Sequence, residues 1–283
     1  MVPDLLISSR RNPLVRRLRS LATRAGRERE GMVLLEGTHL LQEQLLQGVE
    51  LHEVIATDPW IERHSQLLGS LDPQIPIRRV TEEVLRAALS TVTPDGVACL
   101  CPLECFPSPS LQASFLLLLD RIQDPGNLGT LLRTALAADV EAVWLGAGAD
   151  PLSPKVLRAS SGSLLQLPHH RFGPDGEQAV EQMEQKLKEL VLQQVQVVAT
   201  LVPDAKGLLQ PIPYWELDWT LPTALVLGTE GAGLHPRLQA CCTHAVTLPH
   251  SPRVESLNVA AAAVPLLLER RRATMARTTQ QSG

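Results

Sequence analysis

The run Phe115–Leu119 consists of five consecutive apolar residues. A strand with one face in solvent alternates apolar and polar residues, so this run predicts a parallel strand that helices cover on both faces. Further strands are predicted at residues 142–145, 195–201, 224–227 and 245–248, and helices at residues 128–138, 178–192 and 257–271. This alternation predicts an α/β domain in which a parallel sheet lies between layers of helices.

A smaller α/β pattern precedes this domain. Its predicted strands lie at residues 32–35, 53–56, 75–80 and 96–101, and its predicted helices at residues 37–46, 59–68 and 81–89. The prolines Pro102, Pro107 and Pro109 then fall in a stretch without periodicity, which is typical of a linker. We predict a first domain over residues 1–103, a linker over 104–113, a second domain over 114–273 and a disordered polar tail over 274–283.

Composition narrows the class of protein. The 283 residues are 44% hydrophobic, which is enough for two cores. No apolar stretch approaches the about 18 residues of a membrane-spanning helix, and no signal peptide is recognisable, so we expect a cytoplasmic protein. The five cysteines lack the paired C-x-x-C spacing of zinc sites, so we expect buried, reduced thiols and no metal.

Arginine is concentrated near the N-terminus, although the whole chain has a net charge of -4. Between Arg10 and Arg29 the chain has eight arginines and one acid, Glu28. Apolar residues recur there at helical spacing after Asn12-Pro13, which predicts a basic amphipathic helix. Arginine suits bidentate phosphate contacts, so Arg10, Arg16, Arg17 and Arg19 are predicted to contact nucleic acid; the alternative is a solvated helix face.

Three polar loops follow predicted strands, at residues 120–130, 228–234 and 249–259. In an open parallel sheet, ligands bind in the loops beyond the carboxyl ends of the strands. The glycines of the second loop read G-x-x-G-x-G, which is neither the dinucleotide fingerprint nor a phosphate loop, and an ordinary glycine turn is the alternative. Asn127 and Ser256 have their own alternative, because either residue can cap a helix.

Together, the three loops resemble the motifs of the SpoU, or TrmH-type, branch of the SPOUT RNA methyltransferases. The first motif, approximately D-P-x-N-x-G-x-x-x-R-[TS]-A, is matched by Asp124, Pro125, Asn127, Gly129, Arg133, Thr134 and Ala135. The second motif, G-x-E-x-x-G, is matched by Gly228, Glu230 and Gly233. The third motif, S-L-N-V, is matched by Ser256, Leu257, Asn258 and Val259. The resemblance covers the whole second domain, including residues 155–162.

This resemblance implies a particular architecture. The second domain would be a SPOUT-type parallel-sheet domain with a trefoil knot near its C-terminus, although chains otherwise rarely thread their own loops. The first domain would be an L30e-like α/β domain that binds the RNA substrate. The catalytic domains would pair to form a homodimer. S-adenosylmethionine would be held by Thr200, Leu227, Gly228, Leu248 and Leu257, largely through backbone groups.

The resemblance also implies an activity, methyl transfer from S-adenosylmethionine to a ribose 2′-hydroxyl of ribosomal or transfer RNA. Arg133 would activate that hydroxyl, and because a guanidinium stays protonated we predict hydrogen bonding and charge stabilisation rather than proton abstraction. The other predicted catalytic residues, Asn127, Glu230, Ser256 and Asn258, would order the loops and the ribose around it. For Glu230 the alternative is a structural role in fixing the glycines of its loop.

The third loop departs from many family members, which have methionine and glycine where this chain has His250 and Pro252. Two other functions remain as alternatives. One is a non-catalytic RNA-binding or ribosome-assembly protein that keeps the fold, which the intact motif residues argue against. The other is a nicotinamide-dependent oxidoreductase, which the missing glycine fingerprint argues against.

Overall fold

The computed structural model describes residues 5–110, 113–173, 176–203, 209–229 and 233–281. The helices are α1 Pro13–Ser20, α2 Arg24–Glu30, α3 Thr38–Leu46, α4 Asp58–Arg63, α5 Ser65–Gly69, α6 Glu82–Ala88, α7 Pro125–Ala137, α8 Pro154–Ala159, α9 Gly176–Leu192, α10 Pro236–Gln239 and α11 Val259–Gln281. The strands are β1 Met32–Glu36, β2 Glu53–Ala56, β3 Ile77–Arg79, β4 Val97–Pro102, β5 Phe115–Leu119, β6 Ala142–Leu145, β7 His169–Arg171, β8 Gln196–Thr200, β9 Ile212–Pro213, β10 Thr223–Leu227 and β11 His244–Thr247.

Contacts divide the chain into two units. The first unit is Met1–Phe106 with Asp150–Gln166, and the second is Pro107–Ala149 with Leu167–Gly283. The first unit contains a four-stranded sheet in the order β1-β4-β2-β3, in which β4 is antiparallel to both neighbours. The predicted basic amphipathic helix is α1, whose buried Leu14, Val15 and Leu18 belong to the core of this unit.

The segment Asp150–Gln166 groups with the first unit, whereas the sequence-based boundaries assign it to the second domain. Two ion pairs also connect this segment to the rest of the first unit. The guanidinium of Arg27, with 3% of its side chain exposed, pairs with Asp150, and Arg158 of α8 pairs with Glu36, whose side chain is 1% exposed. A buried charge without its partner is strongly destabilising, so these pairs hold the segment in place.

The second unit is the predicted α/β domain with a parallel sheet. Its seven strands have the order β7-β6-β5-β10-β8-β11-β9, and every neighbouring pair is parallel. Strand β5 is buried at all five positions, which confirms the expectation of a strand covered on both faces. The carboxyl ends of β8, β10 and β11 are adjacent at one edge of the sheet, because these three strands are neighbours in its order.

Several sequence-based boundaries require correction. Helix α11 continues to Gln281, so residues 274–281 are helical rather than a disordered tail. Before this extension, Arg272 pairs with Glu269, and the Thr274 hydroxyl donates to the Arg270 carbonyl. Helices α2, α8 and α10 and strands β7 and β9 were not predicted, and the helix predicted over residues 59–68 is two helices, α4 and α5.

All five cysteines are free, and Cys99, Cys101 and Cys242 are buried, as expected. Burial raises the pKa of the Cys242 thiol to about 12, so this group stays protonated and packs as a small apolar side chain. None of the helices in the described ranges is long and apolar enough to span a membrane.

Candidate functional site

One cavity of about 460 Å³ opens at the carboxyl ends of β8, β10 and β11. Its lining includes all five residues predicted to bind the cofactor: Thr200, Leu227, Gly228, Leu248 and Leu257. Ser256, predicted to be catalytic, also lines it. Small-molecule sites usually have volumes of about 300 to 1,000 Å³, so the cavity can accept a ligand of cofactor size.

Between β10 and α10, the described residues Thr229 and Gly233 lie close together. Thr229 and Gly233 exchange two backbone hydrogen bonds of 3.1 and 3.0 Å. A Cβ atom added to Gly228 would lie 2.3 Å from the carbonyl carbon of Gly233, and Gly233 itself has a φ of +67°. Both glycines are therefore required by the backbone, the first by close approach and the second by conformation. Glu230, predicted to be catalytic, lies outside the described residues.

Asp120 forms hydrogen bonds with residues on both sides of the loop between β10 and α10. None of the three motifs includes Asp120. Its backbone N–H donates to the Leu227 carbonyl at 2.8 Å, and its carboxylate accepts from the His235 N–H at 2.9 Å. Arg121, with a φ of 55°, donates to the same carboxylate at 3.0 Å and balances a charge that is only 1% exposed. The one signal in the sequence is an acid placed directly after a buried strand.

A hydrogen bond joins the first and third motifs. The Asn258 side-chain amide donates to Asn127 Oδ1 at 3.0 Å. Asn258 Oδ1 also accepts from the backbone N–H groups of Ala260 and Ala261, so it caps α11. Asp124 caps α7 by accepting from the Asn127 N–H at 2.8 Å. The caps are thus Asp124 and Asn258, not Asn127 and Ser256, which leaves the Asn127 side chain to connect the two loops.

The remaining predicted catalytic residue, Arg133, lies in α7 six residues after Asn127, and its side chain is exposed. His250, one of the departures in the third loop, lines the cavity and has Nδ1 2.8 Å from the Leu248 carbonyl. Only a ring N–H can donate to that oxygen, so this interaction supports an ordering role for His250 in the loop. Among the described residues, no group of three or more histidines, cysteines or acids is arranged to hold a metal ion.

S-adenosylmethionine fits the groups that line the cavity. Leu227, Leu248 and Leu257 provide apolar contacts, and the loop glycines allow backbone groups to approach a ligand closely. Thr200 Oγ1 is buried without a hydrogen-bond partner among the described residues. A buried hydroxyl without a partner is costly, so a polar ligand atom in the cavity would satisfy a group that the protein leaves unsatisfied.

The four arginines predicted to contact RNA differ in their surroundings. Arg10 and Arg16 are exposed, and neither forms an ion pair with a described residue. Arg17 is half-buried and pairs with Glu30 at 3.2 Å and Glu53 at 3.3 Å, while Arg19 donates to the Ala87 carbonyl. Arg17 therefore stabilises the first unit, whereas Arg10 and Arg16 present unpaired charge to solvent.

Solved structures with the same fold define the class of protein. An RNA 2′-O ribose methyltransferase superposes with a TM-score of 0.76 and 28% identity, over 96% of this chain and 100% of its own. The SpoU methyltransferase AviRb from Streptomyces viridochromogenes, in complex with AdoMet, gives a TM-score of 0.75 and 25% identity, over 94% and 100% of the two chains. The fold is that of SPOUT-type methyltransferases.

Sequence relatives specify the family. The SpoU rRNA Methylase family profile matches residues 114–267, and the MRM3-like substrate binding domain profile matches residues 12–99. A Synechocystis protein named as an uncharacterized tRNA/rRNA methyltransferase is 43% identical over 96% of both chains. The 23S rRNA (guanosine(2553)-2′-O)-methyltransferase RlmP of Bacillus subtilis is 32% identical over 92% of this chain and 97% of its own. The chain belongs to the SpoU rRNA methylase family, which confirms the resemblance found in the motifs.

Proposed function

We propose that this protein transfers a methyl group from S-adenosylmethionine to a ribose 2′-hydroxyl of structured ribosomal RNA. The observation that carries the proposal is the single cavity around which the strand-end loops of the second and third motifs meet. Relatives support the substrate class, since RlmP and a Streptomyces viridochromogenes relative are named as 2′-O-methyltransferases of 23S rRNA. A 2′-hydroxyl is also the group that distinguishes RNA from DNA.

Some residues of the chain would hold the cofactor, and Arg133 would activate the ribose hydroxyl. S-adenosylmethionine supplies an electrophilic methyl group when bound. Leu227, Gly228 and Leu248 would hold this cofactor. The hydrogen bond between the side chains of Asn127 and Asn258 would fix the start of α7 against the third loop. Arg133 would donate a hydrogen bond to the ribose oxygen and stabilise the negative charge that develops as the hydroxyl passes its proton to an RNA phosphate.

A methyl-transfer assay tests this function directly. The full-length protein is incubated with tritiated S-adenosylmethionine and 23S rRNA transcribed in vitro, with a tRNA transcript in parallel. We expect tritium in the 23S rRNA, at a nucleotide whose 3′ linkage resists alkaline hydrolysis because its 2′-oxygen is methylated. Tritium in a nucleobase, or in tRNA alone, would contradict the proposal.

Exposed arginines of the first unit should supply phosphate contacts. The double substitution Arg10→Ala with Arg16→Ala is expected to weaken binding to 23S rRNA and to reduce the slope of log K against log salt by about 1 to 2, since each phosphate contact contributes roughly 0.7 to 0.9. The matched control is Arg24→Ala with Arg29→Ala, because both arginines are exposed but pair with Glu28 and Glu30. Equal slopes for the two double variants would mean that Arg10 and Arg16 do not contact phosphate and that the basic face of α1 is a solvated helix face.

We further propose the domain roles and assembly that the family implies. The first unit would be the L30e-like RNA-binding domain, and the second the catalytic domain with the trefoil knot, in a cytoplasmic homodimer. Val264, Leu268 and Met275 of α11 are 38%, 40% and 61% exposed, which supports pairing through the second unit. Light scattering at micromolar concentration should give about twice the 30.9 kDa of one chain.

A further inference from the structure

The first unit contains a cavity of its own, of about 250 Å³, where β1 ends and α3 begins. Its lining includes Glu36, Thr38, His39, Thr91, Asp95 and Arg158, all of which belong to the first unit. None of the residues assigned above to the cofactor or to the reaction lies in it. The lining combines apolar side chains with a few polar and charged ones, among them two acids and an arginine, which is typical of a recognition site rather than a packing defect.

The floor of this cavity is a rigid ion pair. The buried carboxylate of Glu36 accepts from the Ser90 N–H at 2.8 Å, the Ser90 hydroxyl at 3.1 Å and the Thr91 N–H at 3.2 Å, and it also accepts from Arg158 Nη1. Arg158 uses only Nη1 in these contacts, so they hold one amino group of its planar guanidinium in place. Its Nε and Nη2 groups donate to no described residue, although the side chain is only 33% exposed.

The walls offer hydrogen-bonding groups of both kinds. Thr38 Oγ1 accepts from Trp60 Nε1 at 2.7 Å, which leaves its own hydroxyl hydrogen free to donate. The Asp95 carboxylate accepts from the Thr38 N–H at 2.8 Å through one oxygen, so the other oxygen can accept from a ligand. His39 is exposed at the rim and provides a flat ring.

We propose that this cavity binds one unpaired nucleobase of the RNA substrate, an inference that rests on the function proposed above. Proteins recognise unstacked RNA bases by stacking them on imidazole or guanidinium planes and by hydrogen bonding to their edges. Arg158 and His39 provide the planes, and Asp95 and Thr38 provide the hydrogen bonds. Two carboxylates against one guanidinium leave a net charge of -1, which favours a base with amino groups over a phosphate.

Asp95→Asn gives the sharpest test, because general electrostatics and base recognition predict opposite signs. The asparagine oxygen can still accept from the Thr38 N–H, so the backbone is preserved, but an amide NH₂ replaces the second carboxylate oxygen, a donor in place of an acceptor. Loss of an acid alone would tighten RNA binding; loss of base recognition should weaken binding to 23S rRNA about tenfold, within the range for one base contact. The salt slope should not change, since no phosphate contact is removed.

The matched control is Asp72→Asn, an exposed acid of the same unit that accepts from the Gln74 N–H at 2.9 Å and does not line the cavity. A second pair, His39→Ala with His52→Ala as its control, applies the same comparison to the stacking plane. We expect the cavity variant of each pair to weaken binding and its control to bind like wild type. All four variants should keep the wild-type melting temperature and affinity for S-adenosylmethionine.

Ultraviolet cross-linking provides a readout that does not depend on methylation. Wild-type protein is irradiated with 23S rRNA, and nucleotide adducts are located by mass spectrometry, with peptides containing residues 36–40 or 89–97 expected to carry them. Adducts exclusively elsewhere, or an Asp95→Asn variant that binds RNA as tightly as or more tightly than wild type, would overturn the cavity assignment. Absence of methyl transfer together with adducts at the cavity would instead overturn the proposed function and leave the RNA contact standing.

Discussion

Replacing Arg133 with alanine is expected to lower the rate of methyl transfer by at least about a hundredfold, the cost of removing one donor that stabilises transition-state charge. The affinity for S-adenosylmethionine should be retained, because Arg133 does not line the cofactor cavity. Its position supports this separation: Arg133 is an exposed residue of α7, whose start is fixed by the Asp124 cap and by the bond between Asn127 and Asn258.

Two further variants make the Arg133 result specific. Arg133→Lys keeps the charge but loses the planar set of donors, so it should restore only part of the rate if the guanidinium geometry matters. Arg237→Ala is the matched control, an exposed arginine whose surface ion pairs with Glu177 and Glu184 contribute little. Rates come from single-turnover assays with 23S rRNA, and affinities from calorimetry. A wild-type rate for Arg133→Ala would remove it from the reaction.

The elements that the sequence predicted best are those with a local signal. The run Phe115–Leu119 is β5 to the residue, and the strand predicted at residues 224–227 is β10 with one residue added. The prediction that polar loops gather beyond the strand ends also holds for the second and third loops, since Gly228, Ser256 and Leu257 line one cavity. Parallel strands place their carboxyl ends at one edge of the sheet, and that rule needs no knowledge of strand order.

What the sequence did not reveal depends on partners that are distant in the chain. The contact of Asp120 with His235 spans 115 residues, and that of Arg27 with Asp150 spans 123. A charge pattern does not distinguish an arginine that a distant acid neutralises, such as Arg17, from a free one such as Arg16. The missed strands β7 and β9 have three and two residues, too few for a period of two to be recognised.

The helix caps show a further limit of prediction from the sequence. The sequence offered Asn127 and Ser256 as caps, and the structure uses Asp124 and Asn258, each within three residues of the residue first considered. All four side chains can accept from a helix N-terminus, so residue type alone does not choose between them. This choice of caps has a functional consequence, because the side chains of Asn127 and Asn258 form a hydrogen bond that joins the first and third motifs.

Gly228→Ala is the second variant with a large expected effect, a loss of cofactor affinity. An added Cβ would meet the Gly233 carbonyl carbon at 2.3 Å and the Leu234 nitrogen at 2.4 Å, and both atoms belong to the backbone of the same loop. Flexible side chains can yield to such contacts, but here the loop itself must move. Overpacking of this kind costs about 1 to 3 kcal/mol, which corresponds to roughly a tenfold to hundredfold higher Kd for S-adenosylmethionine if the cost falls on the cavity.

Two other glycines separate crowding from backbone conformation. Nothing lies within 4 Å of a Cβ added to Gly233, but its φ of +67° makes alanine unfavourable by about 1 kcal/mol, so Gly233→Ala should have a smaller effect. Gly176 has neither restriction, and Gly176→Ala should bind the cofactor like wild type. Calorimetry at a temperature where all three variants are folded measures the order of their affinities for S-adenosylmethionine. A Gly228→Ala variant with wild-type affinity would mean that the loop can shift without disturbing the ligand, because the clash with its own backbone cannot be avoided in the present conformation.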